Sequence, residues 1–445
     1  MPTHMMTFPV ETPALRNLEI QPAQLDGRAV LVIRDPAGVL EGTAIMAAHP
    51  IVLLFLQMAD GQTTCAEMAR RVTLATGEVV QAAVFESVAK QLDEALLLQT
   101  ERFREALERK RSAYLASPTR PCTVFRVDGS DRLAMIKELS DEFRRHTTAS
   151  GAPPDRLDLP AASVAGILAP HIDYYRGGPA YAHAYRALRE HGLPGARTFI
   201  VLGTSHRPLE GRFAATRKAF ETPIGNVETD AEVLDALGRY CEADLFRDEY
   251  AHASEHTVEL QAIYLRHIFA DRDGSIVPAP RIVPVLVGPM EDLLVSGRVP
   301  MDDPEIAAFC AALRRVLDEA GDSVALIGGV DLSHCGPQFG DEELNDEQRE
   351  RAIEASDREI LAAIESGDPN RFFEVFRESR NATNVCSIAP IYVTMEAMRG
   401  RATPRVLTYQ QSNSADRTCL VSFASVAFLK NGAGQQTPKI ILATG

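Results

Sequence analysis

Four stretches of this chain carry imidazole or thiol groups where a strand ends or a helix begins. They are Ala169-Pro170-His171-Ile172-Asp173-Tyr174-Tyr175, Gly203-Thr204-Ser205-His206, Asp331-Leu332-Ser333-His334-Cys335 and Asn384-Val385-Cys386-Ser387. Imidazole and thiolate are the side chains that hold transition metals. In an open α/β sheet the carboxyl ends of the strands line the ligand crevice. Stretches far apart in sequence can therefore deliver their side chains to one pocket, and the chemistry expected there is metal binding or redox work.

A lone histidine in such a place is ordinarily a loop residue with a satisfied hydrogen bond, but three at equivalent strand ends point to a shared role. His171 follows the apolar Ile167-Leu168-Ala169 and a proline that pins the turn. It precedes a loop with Tyr174, Arg176 and Gly177-Gly178, where backbone without side chains can approach a ligand closely. Asp331 stands three residues before His334 and is expected to fix its tautomer or to act as an acid/base. Cys386 opens a helical pattern, and a thiol at a helix amino terminus has a depressed pKa. Glu255-His256-Thr257-Val258-Glu259 starts another helix, with Ser254 as its expected cap and His256 and Glu259 on one face. Its spacing is not that of a zincin. Arg176 and Arg207 are the cations near these stretches and the expected contacts to an anionic ligand. Cys65, Cys122, Cys241, Cys310 and Cys419 read as core or incidental thiols. No Walker loop, G-x-G-x-x-G after the first strand, or G-x-S-x-G elbow is present, which speaks against nucleotide binding and an α/β-hydrolase.

The elements that must position these groups alternate from Ser163 onward. Strand-length apolar runs are Val164–Leu168, Thr198–Leu202, Ile282–Val287, Val324–Val330, Val406–Tyr409 and Leu420–Leu429. Helical patterns between them are Ala180–Glu190, Ala231–Tyr240, His256–Phe269, Pro304–Glu319, Glu347–Ile364, Asn370–Phe376 and Ile388–Met398. This alternation predicts an α/β domain over 161–430, with a largely parallel sheet flanked by helices. Residues 13–100 form an earlier unit. It has a β-rich Arg28–Ile33, the turn Asp35-Pro36-Ala37-Gly38, and helical Ile51–Met58, Cys65–Leu74 and Val84–Leu92. A short strand, Leu96–Gln99, closes it, and Thr64 with Glu67 fits a capping box. That pattern suggests a small winged-helix-like module. Residues 101–160, with helical Glu101–Tyr114 and Leu133–His146 and proline-bearing breaks, read as a helical connector.

The chain of 445 residues is long enough for two domains. Its 46 basic and 61 acidic residues give a net charge of −15, which argues against broad nucleic-acid binding. The acidic run at Asp341–Glu350 reads as a solvated helix start. Seven scattered cysteines without a C-x-x-C suggest a reducing compartment rather than a disulfide framework. Met1 to Ile20 lacks a signal pattern, and no apolar run reaches the roughly 18–20 residues of a membrane span. The expectation is a cytoplasmic protein without membrane contact.

In order along the chain, "APHIDYYRGGPAYAHAY", "FIVLGTSH", "TPIGNVETD", "EHTVELQ", "IVPVLVG", "VDLSH" and "LTYQQSNSADR" resemble the Memo-like family, whose bacterial members are called AmmeMemoRadiSam system protein B. The resemblance covers about 162–430. It implies a fold like the class III extradiol, non-haem iron dioxygenases. It also implies a pocket where His171, His206, His334 and Cys386 meet, with copper or iron as the bound metal. Family members are associated with redox chemistry, some with phosphopeptide binding, and radical-SAM and AMMECR-type proteins are the implied partners. Three positions depart from the family pattern. Ile172-Asp173 stands where many members have Ala-Gly, Arg207 where many have histidine, and Cys335-Gly336 where an aromatic residue follows the histidine. Residues 13–100 resemble the small peptide-binding domains related to the coenzyme-PQQ synthesis D protein, which implies docking of a peptide or protein.

Two functions from different classes follow. One is a metal-dependent redox enzyme or oxygenase. There His171, His206 and Cys386 hold iron or copper, with zinc as the hydrolytic variant. His334, Asp331, His256 and Glu255 supply acid/base or supporting groups, and Tyr174, Arg176 and Arg207 meet a small-molecule or peptide substrate. The other is a non-catalytic module that holds a peptide or phosphopeptide in the same cleft, since fold does not imply function.

Overall fold

The computed structural model describes residues 6–40, 42–125, 132–269 and 279–432. The chain divides into two compact units, Met1–Ala116 and Ser117–Gly445.

The first unit holds an antiparallel sheet in the order β1-β2-β3, built from β1 (Glu19–Leu25), β2 (Arg28–Arg34) and β3 (Ala44–Ala47). β1 and β2 are joined by Asp26-Gly27, both at positive φ (50° and 74°), and Leu25 pairs with Arg28. This is the two-residue hairpin that Asp-Gly encodes, a signal the β-rich run beginning at Arg28 had left unread. Asp35 accepts from the amides of Ala37, Val39 and Leu40, which makes the expected turn. Helices α1 (Pro50–Met58), α2 (Cys65–Thr76), α3 (Ala82–Glu94) and α4 (Glu101–Ala116) follow. Thr64 caps α2 by accepting from the Glu67 amide at 3.1 Å. The other half of a capping box is replaced, because Glu67 turns to Arg70 and Arg71. Leu96–Gln99 contributes only an isolated bridge between Leu98 and Leu15. Leu31, Ile33, Phe55, Met68, Val72, Phe85 and Leu92 form this unit's core.

The second unit begins with β4 (Thr119–Arg120), α5 (Arg132–His146), β5 (Val164–Ala169), α6 (Tyr174–His191), β6 (Thr198–Thr204), β7 (Phe213–Ala215), β8 (Ala219–Phe220) and β9 (Glu228–Thr229). It continues with α7 (Ala231–Cys241), α8 (Thr257–Ile268), β10 (Arg281–Val287), α9 (Glu291–Ser296), α10 (Pro304–Ala320), β11 (Val324–Gly329) and β12 (His334–Cys335). Last come α11 (Glu347–Glu365), α12 (Pro369–Ser379), α13 (Ile388–Met398), β13 (Ala402–Asn413) and β14 (Leu420–Lys430). The main sheet runs β12-β14-β5-β11-β6-β10-β7, with β13 beside β14 and β9 beside β10. Its centre, β5-β11-β6-β10, is parallel, and its margins β14, β13, β12 and β7 pair antiparallel.

The central strands are buried on both faces, which is why they read as unbroken apolar runs. Along β6, Phe199 and Val201 join the core under α5, α6 and α8, while Ile200 and Leu202 join the core under α7, α10, α12 and α13. That alternation is the period-two geometry of a strand. Gly203 lets α8 dock on β6. A Cβ there would lie 2.5 Å from Thr257 Oγ1 and 2.7 Å from a Val258 methyl.

The expected connector at 101–160 is divided between the two units. Its first helix is α4 of the first, while β4 and α5 belong to the second, where β4 pairs with β8. Among the described residues no helix is long and apolar enough to cross a membrane.

Candidate metal centre

The three parallel strands β5, β11 and β6 lie side by side and end in register at Ala169, Gly329 and Gly203-Thr204. Two residues beyond each end stand His171, Asp331 and His206. The turn before α13 brings Cys386 to the same place. A nitrogen of His171, a nitrogen of His206 and the Cys386 sulfur all lie within 4.8 Å of one another. Cys386 Sγ is 3.5 Å from His171 Nε2. His334 lies outside that trio but lines the same cavity as Cys386.

Each histidine is held by its Nδ1. His171 Nδ1 faces the Gly329 carbonyl at 3.0 Å, His334 Nδ1 the Leu332 carbonyl at 3.0 Å, and His206 Nδ1 the Glu255 carboxylate at 3.1 Å. An acceptor at Nδ1 fixes the proton there and leaves Nε2 for another partner. Of the three, His171 turns its remaining nitrogen to the Cys386 sulfur, at 3.5 Å.

The electrostatics follow from this crowding. Burial pushes the Cys386 thiol up, but the charges of His334 and His171 and hydrogen bonds from His171 and His206 outweigh it and hold the thiol well below its usual range. Burial pulls His206 down, and hydrogen bonds to Cys386 and Glu255 bring it up to about 10. His334 likewise rises to about 9 through Cys386, against its burial. Burial would raise Glu255, yet the His206 hydrogen bond and charge hold it at about 2. Burial drives His256 down to about 4 despite the adjacent Glu255 carboxylate.

Asp331 is buried, and burial raises its pKa. Its Oδ1 accepts from the His171 amide at 3.0 Å and its Oδ2 lies 3.6 Å from His171 Nε2. It therefore supports His171, and the Leu332 carbonyl takes the role toward His334 expected of it. Glu255 accepts from the amides of His206, His256 and Thr257. The helix cap is His256, not Ser254. The His256 ring stacks on His206 at 5.2 Å and 6°. His206, Glu255 and His256 make a second trio whose atoms lie within 4.8 Å. Glu259, three residues on, turns away into a buried pair with Arg120.

The groups open into a cavity of about 570 Å³ whose other walls are Val124, Ile172, Leu260, Phe339 and Val421, with Asp173, Arg176 and Asn384. Arg176 is paired with Asp173 at 2.6 Å. Arg207 is not among the lining residues. Tyr174 is buried among Phe143, Tyr181 and Tyr264, and its hydroxyl donates to the Leu260 carbonyl at 2.5 Å. It belongs to the core, because Asp173 caps α6 and the helix starts at Tyr174, six residues before the expected Ala180. Gly177 and Gly178 serve helix packing rather than ligand approach, since a Cβ on either would strike Ile172 or His146. A second cleft, of about 620 Å³ between α5, α6 and α8, holds none of these groups.

Ser387, Phe339 and Val124 were not anticipated. Ser387 Oγ accepts from the Asp331 amide and shares a hydrogen bond with Thr204, tying two of the strand ends together. A serine after a cysteine carries no sequence signal for that. Phe339 packs edge-on against His334 from a 3-10 turn, Pro337–Phe339, that nothing in the sequence places there.

Comparison with known proteins agrees with this architecture. Residues 134–427 match the family model described as Memo-like protein. A MEMO1 family protein of Aquifex aeolicus is 24% identical over 403 residues, covering 89% of this chain and 95% of the relative. One of Methanopyrus kandleri is 29% identical over 298 residues, 66% of this chain and 93% of the relative. One of Methanothermobacter thermautotrophicus is 30% identical over 271 residues, 59% of this chain and 84% of the relative. The family match takes in every strand end that carries a histidine, and by it this chain belongs to the Memo-like family.

Proposed function

We propose that the site binds a redox-active transition metal, iron or copper, and that the protein is a metal-dependent oxidoreductase of the oxygenase type. The observation that carries this reading is the meeting of two imidazoles and one thiol, His171, His206 and Cys386, with their donor atoms within 4.8 Å of one another. Bonds from such an ion to imidazole nitrogen or thiolate sulfur run about 2.0–2.3 Å, so ligand atoms around one ion lie roughly 3–4 Å apart. The 3.5 Å between Cys386 Sγ and His171 Nε2 fits that spacing. His171, His206 and Cys386 would hold the ion. Two imidazoles and a thiolate favour soft or borderline ions such as copper(I) and iron over calcium or magnesium. Such an ion, when bound, would supply electron transfer or activation of an oxidant.

The chain's own residues do the rest. Glu255, Gly329 and Leu332 fix the proton-bearing nitrogen of each histidine. His334 and His256 face the cavity and are the groups that can hold or give up a proton beside a ligand. Val124, Ile172, Leu260 and Val421 keep the wall apolar, and Arg176 offers a partly exposed guanidinium to an anionic group on the ligand. Radical-SAM and AMMECR-type proteins belong to this proposal as partners, and so does docking of a peptide or protein by residues 13–100. The peptide-binding reading of the cleft has less in its favour, because Arg207, the second cation expected there, is not among the residues that line the cavity.

The test is anaerobic titration of iron(II), copper(I) and zinc(II) into the wild type and His206→Ala, with circular dichroism as the folding control. One equivalent of iron or copper is expected in the wild type and weak or no binding in the variant. Equal affinities in both proteins would remove His206 from the ligand set and sink the assignment.

A further inference from the structure

Glu255 belongs to the second of two trios that overlap at His206, so its role decides what His206 can do. Its carboxylate already takes the amides of His206, His256 and Thr257 and the His206 Nδ1. Saturated in this way it acts as a clamp, which raises the question of what holds the clamp.

Arg120 supplies an answer. It is fully buried and lies 2.5 Å from the equally buried Glu259 of α8. Its Nε donates to the His252 carbonyl at 3.0 Å, and an Nη donates to the Glu255 carbonyl at 2.9 Å. The guanidinium thus grips both ends of the turn that carries Glu255. In return Glu259 accepts from Thr123 and from the amide of Val124, a residue of the cavity wall. A buried ion pair is a poor source of net stability, and a registry role is its best-attested use.

We propose that Arg120 is a positioning residue: through the carbonyls of His252 and Glu255 it sets the Glu255 carboxylate against His206 Nδ1, which holds the His206 ring beside His171 and Cys386. Only the metal readout below rests on the function proposed above.

Arg120→Lys keeps a charge opposite Glu259 and loses the planar fork that reaches two carbonyls. Arg120→Gln/Glu259→Gln removes the pair with little change in volume and guards against misfolding of the first variant. Phe309→Leu, in the core on the other face of the sheet, serves as a control of matched thermal stability. The first readout is the His206 Nδ1–H resonance in metal-free protein labelled with ¹⁵N-histidine. A hydrogen-bonded, slowly exchanging signal is expected in the wild type and the control. It should be lost or shifted in both Arg120 variants and in Glu255→Gln. The second readout is cobalt(II) affinity, followed by the thiolate charge-transfer band. A loss of about 10–100-fold, the usual effect of removing support behind a ligand, is expected in the Arg120 variants and not in the control. An unchanged His206 signal in a folded Arg120 variant overturns the proposal. If the wild type takes up no cobalt while the Nδ1–H signal still depends on Arg120, the metal reading fails and the positioning role stands.

Discussion

Cys386 carries the sulfur that lies with His171 and His206 in one cluster, so its substitution separates soft ions from hard ones. Cys386→Ser is expected to weaken copper(I) and iron(II) binding more than zinc(II), because thiolate matters most to the softer ions. Competition titrations against a chelator measure this, and equal losses for all three metals would place the sulfur outside the coordination sphere. Asp331→Asn keeps an acceptor for the His171 amide and removes the buried charge. A fall of about tenfold in metal affinity is expected, the low end of what supporting groups contribute. Tyr174→Phe tests a correction rather than a role. It deletes only the hydrogen bond to the Leu260 carbonyl, so it should cost about 1 kcal/mol of stability and leave ligand and metal binding unchanged.

At the scale of elements, the site depends on α8 lying close against β6. Gly203→Ala forces a Cβ into Thr257 and Val258, and overpacking of this kind costs about 1–3 kcal/mol. The displaced helix carries Glu255 and His256 with it, so metal affinity should fall together with the urea midpoint. A loss of stability with unchanged affinity would show that the helix start adjusts independently of the site. The strand ends were legible because β5, β6 and β11 are apolar on both faces and stop at Ala169, Thr204 and Gly329, two residues short of His171, His206 and Asp331. The start of α6 was not, because its first turn is rich in tyrosine and glycine and only the Asp173 cap announces it. The antiparallel hairpin β13–β14 is longer than its apolar run, since β13 keeps polar residues along one face.

At the scale of the whole molecule, buried neutral histidines give the fold an acid-side weakness. His252 is buried, its Nε2 faces the Ala214 carbonyl, and burial drives its pKa down to about 4 from an ordinary 6.5. The folded state therefore binds fewer protons than the unfolded chain between these values. Stability is complete above about pH 6.5 and declines as pH falls toward 4, by on the order of 2–3 kcal/mol for this residue. Urea unfolding at pH 7 and pH 4.5 should show a smaller difference in His252→Gln than in the wild type. An equal or larger difference would assign the acid lability elsewhere, with His146, also lowered to about 4, as the next residue to change. The division at residue 116 adds a separate expectation. Residues 117–445 enclose their own cores and should unfold cooperatively when expressed alone. A molten fluorescence and circular-dichroism signature would refute it.

The sequence by itself determined the long buried strands of the main sheet and most helices, because each is local; the short strands at its margins and in the first unit escaped it. Apolar runs encode buried strands, and a histidine or cysteine after such a run is visible without any fold. Asp26-Gly27 was equally local and simply unread. What the tertiary structure decided is partnership. Asp331 sits three residues from His334 yet serves His171, since β5 and β11 are neighbours in the sheet. Glu259 was expected on one helical face with His256 yet turns to Arg120, because His256 caps α8 at the cavity while Glu259 is fully buried inside. Tyr174 is named beside His171 in the chain and buried away from it in space. Spacing along a chain sets which side chains can be near one another; strand order and helix docking, which depend on contacts many residues apart, set which of them are.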